Sequence, residues 1–116
     1  MRAATRREIG GFLFFDEEAI VSKAECLIHE ENDDVRITEW RLEPGAATGY
    51  HRHNYDYAVV PLVAGTIKAT GPAGELVMEL KAGKSYFRKA GVEHDVVNVG
   101  NALYAFAEVE LKRQKG

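Results

Sequence analysis

Short apolar segments, separated by turns that contain glycine or proline, run through most of the chain. Residues 35–42 alternate in character and end at the Glu-Pro-Gly turn of residues 43–45, since proline and glycine stop a strand and permit a sharp turn. The Gly-Pro-Ala-Gly segment at 71–74 joins two further short strands as a hairpin. Such segments recur about every 8 to 12 residues without a long helical period, a spacing that predicts an all-β sandwich or barrel.

The last apolar segment, residues 102–111, alternates along its whole length. Side chains two positions apart in a strand share a face. One predicted face is uniformly apolar and the other is mixed: the first carries Leu103, Ala105, Ala107, Val109 and Leu111, and the second carries Tyr104, Phe106, Glu108 and Glu110.

Candidate chemistry begins in the segment 45–65, where His51 and His53 lie two positions apart. On a strand this spacing directs both imidazoles into one volume, which is typical of a pair of metal ligands. Tyr55 and Tyr57 are predicted to continue the same face. A third histidine, His94, lies in a second glycine-punctuated segment at 83–98.

Length and charge narrow the possible partners. A chain of 116 residues is long enough for one domain with a core and too short for two. A net charge of -3 gives no field that would favour nucleic acid or an anionic membrane, so small molecules or proteins are the expected partners. A single cysteine indicates a reducing compartment, and no segment approaches the length of a membrane span, so the cytoplasm is expected.

The predicted organisation is a flexible basic arm at 1–9, a barrel at 10–112 and a basic tail at 113–116. Three aromatic residues lie within residues 11–15 and need to be covered by the barrel or by a neighbouring subunit. This feature predicts a homodimer.

Two motifs in these segments resemble those of the cupins, which implies a double-stranded β-helix of the jelly-roll group. The first cupin motif, G-x5-H-x-H-x3,4-E-x6-G, is matched by Gly45, His51, His53 and Gly65. The second, G-x5-P-x-G-x2-H-x3-N, is matched by Gly83, Gly91, His94 and Asn98. Asn98 either lines the cavity or satisfies a turn.

The first motif departs from the family pattern because its glutamate is missing. Tyr57 or Ala58 stands at that place, according to the length of the spacer. Asp56 is adjacent, but on a regular strand it would point away from the histidines, so only a bulge could re-aim it. In the second motif Lys89 replaces the usual proline.

The resemblance implies a mononuclear site with His51, His53 and His94 as ligands, similar to that of the thiol dioxygenases of the cupin superfamily. One divalent transition metal per chain is expected, with iron favoured over Zn, Ni, Mn or Cu. Tyr57 either donates a hydrogen bond to a metal-bound ligand or packs the barrel interior. Arg88 either receives a substrate carboxylate or is a surface charge.

The sequence around both motifs is similar to a narrower group, the single-domain cupins associated with β-alanine degradation. That similarity implies a bacterial setting and a small carboxylate or amino-acid-derived metabolite. Three functions follow as hypotheses. The first is a dioxygenase, or a related isomerase or lyase, and the second is a non-catalytic binding or sensor protein with or without metal. The third is a structural subunit attached to another enzyme of the pathway.

Overall fold

The computed structural model describes residues 22–113, which form nine β-strands and no helix. The strands are β1 (Glu25–Glu31), β2 (Val35–Leu42), β3 (His51–Arg52), β4 (Asp56–Pro61), β5 (Gly65–Gly71), β6 (Gly74–Leu80), β7 (Tyr86–Arg88), β8 (Glu93–Asn98) and β9 (Tyr104–Leu111). The all-β prediction is confirmed. Within these residues there is accordingly no helix that could cross a membrane.

The predicted arm at 1–9, the aromatic segment at 11–15 and most of the tail at 113–116 lie outside the described residues. The boundaries drawn between arm, barrel and tail therefore stay predictions.

Two antiparallel sheets form the barrel. The larger sheet has the order β1-β2-β9-β4-β7 and the smaller has the order β3-β8-β5-β6. The predicted hairpin at 71–74 is present, because Gly71 pairs with Gly74 at the end of β5 and β6. β9 lies between β2 and β4, at the centre of the larger sheet, so its inward side chains reach the middle of the barrel.

The core lies between the sheets, and the mixed face of β9 is the one that faces it. Tyr104 and Phe106 are buried there together with Leu42 and Val59. Each large aromatic side chain removes about 150–250 Å² from water. The free energy gained by burying the two rings exceeds the cost of burying the Glu108 carboxyl group on the same face. Glu108 is therefore buried together with them.

The strand predicted to hold both histidines of the first motif is interrupted. β3 contains only His51 and Arg52, and β4 starts at Asp56. Between them the backbone of His53 pairs with the second-motif turn, where its N–H donates to the Val92 carbonyl at 2.8 Å and its carbonyl accepts from the Gly91 N–H at 2.8 Å. The prediction that Tyr55 and Tyr57 continue one regular face with the histidines is therefore wrong.

The turn between β1 and β2 is held by local hydrogen bonds and by an exposed ion-pair network. Asn32 Oδ1 accepts from the N–H groups of Asp34 and Val35 at 2.7 and 2.9 Å. Glu31 pairs with Arg36 Nε at 2.9 Å and with Lys112 Nζ at 2.7 Å. These hydrogen bonds lower the pKa of the Glu31 carboxyl to about 2.

Replacing Glu31 with glutamine is expected to lower the thermal midpoint slightly at neutral pH. Because the pKa of the native carboxyl lies below its ordinary value of 4.5, its contribution is complete above that value and is lost as the pH falls through about 2. Thermal melts of Glu31→Gln and the native chain should therefore converge as the pH falls towards 2. A difference in midpoint that is the same at every pH would contradict this.

Candidate metal centre

The structure brings the three predicted histidines together at one end of the barrel. Antiparallel pairing of β3 with β8 sets His51 directly opposite His94, and the loop after β3 turns His53 towards both. One ring nitrogen from each histidine lies within 4.8 Å of the other two. The Nε2 atoms of His51 and His53 are 3.1 Å apart.

Hydrogen bonding and burial prepare these imidazoles to bind a cation. His51 Nδ1 lies 2.8 Å from the Gly49 carbonyl oxygen, a contact that fixes the ring and directs Nε2 into the site. Burial, together with the neighbouring His51, lowers the pKa of His53 and of His94 to about 4. Both rings are therefore neutral at physiological pH, the state in which imidazole coordinates metals.

The spacing of the nitrogens fits one metal ion. Two ligands about 2.1 Å from a common ion and at right angles to each other lie about 3 Å apart, close to the separation of the two Nε2 atoms. Two lone pairs cannot face each other at this distance without a proton or a cation between them. The residues therefore fit a divalent transition metal.

Tyr57 and Asp56 lie near the place of the missing motif glutamate, and the Asp56 carboxylate does not join the group of histidine nitrogens. Tyr57 is 2% exposed and stacks on His53, with 3.9 Å between ring centroids and 17° between ring planes. Burial, followed by the charge of Glu108, raises the pKa of Tyr57, so the phenol stays protonated. The Asp56 carboxylate accepts a hydrogen bond from the Ala90 N–H at 2.8 Å.

Among the described residues, the carboxyl group nearest to these three histidines is that of Glu108, which the sequence did not single out as a site residue. Its Oε2 lies 3.9 Å from His53 Nε2, and the residue is 6% exposed. Burial, followed by the charge of Glu110, raises the pKa of Glu108 to about 7. The available signal was a carboxylate that shares a strand face with two aromatic residues.

A cavity of about 120 Å³ lies between the sheets beside His94. Its wall is largely apolar, with Tyr57, Arg88 and Glu108 among the polar residues that line it. Arg88 shares the inward face with Tyr57 through direct cross-strand pairing. Its guanidinium lies 4.6 Å from the centroid of the Tyr86 ring and donates to the Phe87 carbonyl at 3.2 Å. No carboxylate among residues 22–113 forms an ion pair with it.

A second, more polar cavity of about 200 Å³ also reaches the histidines. His51, His53 and Arg52 line it, together with Tyr55. Glu108 lines both cavities and therefore stands at the boundary between them.

Asn98, the last residue of the second motif, satisfies a turn and does not line either cavity. It is 1% exposed, and its amide donates to the carbonyls of Leu42 and Ala102 at 2.8 and 2.9 Å. Its Oδ1 accepts from the Gly100 N–H at 2.9 Å.

Comparison with known proteins agrees with this architecture. Residues 38–108 match the cupin domain family. The β-alanine degradation protein BauB of Pseudomonas aeruginosa is 49% identical over 85 residues, which are 73% of this chain and 90% of that protein. A cupin domain from Bordetella pertussis Tohama I is 39% identical with a TM-score of 0.80, over 82% of this chain and 99% of that chain.

A more distant neighbour is the polyketide cyclase RemF of Streptomyces resistomycificus, which is 18% identical with a TM-score of 0.63, over 86% of this chain and 75% of that chain. This similarity shows the fold alone. The predicted resemblance to the β-alanine degradation cupins is confirmed by the first relative. The chain belongs to the cupin family.

Proposed function

We propose that this protein is a metal-dependent cupin that acts on a small carboxylate or an amino-acid-derived metabolite. The observation that carries the proposal is the convergence of His51, His53 and His94 beside a small cavity, with two Nε2 atoms 3.1 Å apart. Iron in a dioxygenase-like site is the first candidate, and imidazole ligands also suit Zn, Ni, Mn or Cu. When bound, such an ion supplies a Lewis-acid or redox centre.

The other groups on the cavity wall suit an anionic substrate with a short apolar body. Arg88 has no carboxylate partner among the described residues, and its planar fork can hold a substrate carboxylate through two parallel hydrogen bonds. The protonated Tyr57 hydroxyl can donate a third hydrogen bond. The apolar wall excludes water from the substrate, and the volume of about 120 Å³ admits only a small molecule. The name of the relative BauB, a β-alanine degradation protein, is consistent with a substrate of this size.

The proposal is tested on untagged protein by elemental analysis, followed by oxygen-uptake assays with small carboxylates and thiols. About one equivalent of iron per chain together with substrate-dependent oxygen uptake would support a dioxygenase. Absence of metal even after reconstitution would overturn the metal centre and favour a non-catalytic binding or sensor protein. The homodimer and the cytoplasmic location stay predictions.

Arg88→Gln is expected to weaken the binding of short carboxylates by roughly 10- to 100-fold, because a hydrogen bond to a charged group contributes about 1.5–3 kcal/mol. Isothermal titration with β-alanine and propionate would measure the change. Arg52→Gln is the matched control, since Arg52 is exposed and lines the second cavity. Equal carboxylate affinity in the native chain and in Arg88→Gln would contradict the assigned role.

A further inference from the structure

Glu108 is a buried acidic residue that lacks the partner such a group ordinarily has. Thr38 and Val59 flank it on the neighbouring strands, and no lysine or arginine among residues 22–113 forms an ion pair with it. The buried Trp40 indole N–H is close by but reaches no partner with full hydrogen-bond geometry. Buried carboxylates are normally paired with a cation or coordinate a metal. A cation next to Glu108 would therefore offset the free-energy cost of burying its carboxylate.

The distance from the Glu108 carboxylate to His53 can be compared with the distance between two ligands of one metal ion. The Nε2 atom of His53 lies 3.1 Å from that of His51 and 3.9 Å from Glu108 Oε2. Ligand atoms bound about 2.1 Å from one ion lie between about 3 and 4.2 Å apart, from right-angled to opposite positions. Both separations fall in this range. His53 thus belongs to two candidate ligand groups, one with His51 and His94 and one with Glu108 and Glu110. The two groups do not merge into one group of four within 4.8 Å, so Glu108 joins the three-histidine group only after its side chain turns towards His51 and His94.

The other nearby carboxylates are already engaged. Glu110 accepts a hydrogen bond from Arg36 Nη1 at 3.1 Å. Glu93 accepts one from the Tyr50 hydroxyl at 3.1 Å. Asp56 is bonded to the turn of the second motif. Glu108 is the carboxylate that combines burial, proximity to a histidine nitrogen and the lack of a basic partner among the described residues.

We propose that Glu108 is the fourth ligand of the metal centre and supplies, from the last strand, the carboxylate that the first cupin motif lacks in this chain. The inference rests on the proposed metal-binding function. With Glu108 as a ligand, the metal site has three neutral imidazoles and one negative carboxylate. Its charge is one unit lower than that of a site with the three histidines alone. Adding a carboxylate favours harder ions such as Mn²⁺ and Fe²⁺ over softer ones.

The test uses Co²⁺, whose visible absorption reports its ligand set, titrated into chelator-stripped, untagged protein. Glu108→Gln keeps the shape of the side chain and removes its charge, and Glu75→Gln makes the same change at an exposed carboxylate of β6 that pairs with Lys68 at 3.7 Å. Glu108→Gln should weaken Co²⁺ binding by at least about 100-fold, the upper end of the loss typical of outer-shell partners, and should change the absorption spectrum. Glu75→Gln should leave both the affinity and the spectrum unchanged.

A second variant distinguishes loss of a metal ligand from misfolding. In Glu108→Ala, added formate should restore the native Co²⁺ spectrum by entering the vacated space as a carboxylate ligand. Circular dichroism would establish that each variant is folded. Restoration by formate would not be expected if Glu108 had a merely structural role.

Three outcomes would overturn the inference. In the first, Glu108→Gln binds Co²⁺ with native affinity while His94→Ala does not, so the histidine centre stands and Glu108 is not a ligand. In the second, Glu108→Gln loses affinity but keeps the native spectrum, or formate leaves the spectrum of Glu108→Ala unchanged. In the third, the native protein binds no Co²⁺, and the proposed function fails as well.

Discussion

His94→Ala is expected to reduce bound metal from about one equivalent per chain to near zero while the barrel stays folded. His94 lies opposite His51 and contributes one of the three nitrogens that converge within 4.8 Å. Two remaining imidazoles on neighbouring segments hold a divalent ion far more weakly than three. Elemental analysis of untagged protein measures the loss, and far-ultraviolet circular dichroism checks the fold.

His29→Ala is the matched control for this experiment. His29 is exposed, and its Nε2 lies 2.8 Å from Glu39 Oε1, away from the three-histidine group. The control variant should therefore retain the native metal content. If His94→Ala keeps its metal, or if His29→Ala loses it to the same extent, the assigned centre is wrong.

Asn98→Ala is expected to destabilise the protein by about 2–4 kcal/mol, because buried polar groups left without partners cost about 1–3 kcal/mol each. The substitution removes two donated hydrogen bonds and one accepted hydrogen bond at a residue that is 1% exposed. The carbonyls of Leu42 and Ala102 and the Gly100 N–H would all lose this partner. Urea denaturation monitored by the fluorescence of Trp40, the single tryptophan, would give the change in the free energy of unfolding.

Asn101→Ala provides the comparison, since Asn101 is exposed in the same turn. Its substitution should change the free energy of unfolding by less than about 0.5 kcal/mol, as is usual for surface positions. Equal effects from the two asparagines would show that the turn does not depend on the buried amide of Asn98.

Strand positions and the histidine pair of the first motif could be predicted from the sequence because they depend on local regularities. Alternation with a period of two placed the strands predicted at 35–42 and 102–111 within two residues of the observed ends of β2 and β9. The resemblance of the two motifs to the cupin pattern implied that His94 would join His51 and His53, and the pairing of β3 with β8 brings it there.

One prediction from the alternating pattern was wrong. The pattern predicted a single strand from His51 to Tyr57, although β3 ends at Arg52. The backbone of His53 instead bonds to the turn at Gly91, a residue far away in sequence. A long-range hydrogen bond of this kind leaves no periodic signal near His53.

The interior position of Glu108 depends on the packing of the two sheets. Alternation along β9 separates two faces but does not say which one is inward. Burial of Tyr104 and Phe106 against residues from both sheets selects the mixed face, since these rings bury more apolar surface than the smaller side chains opposite. Side chains two positions apart in a strand point to the same face, so Glu108 points into the barrel together with Tyr104 and Phe106. Its carboxylate lies 3.9 Å from His53 Nε2.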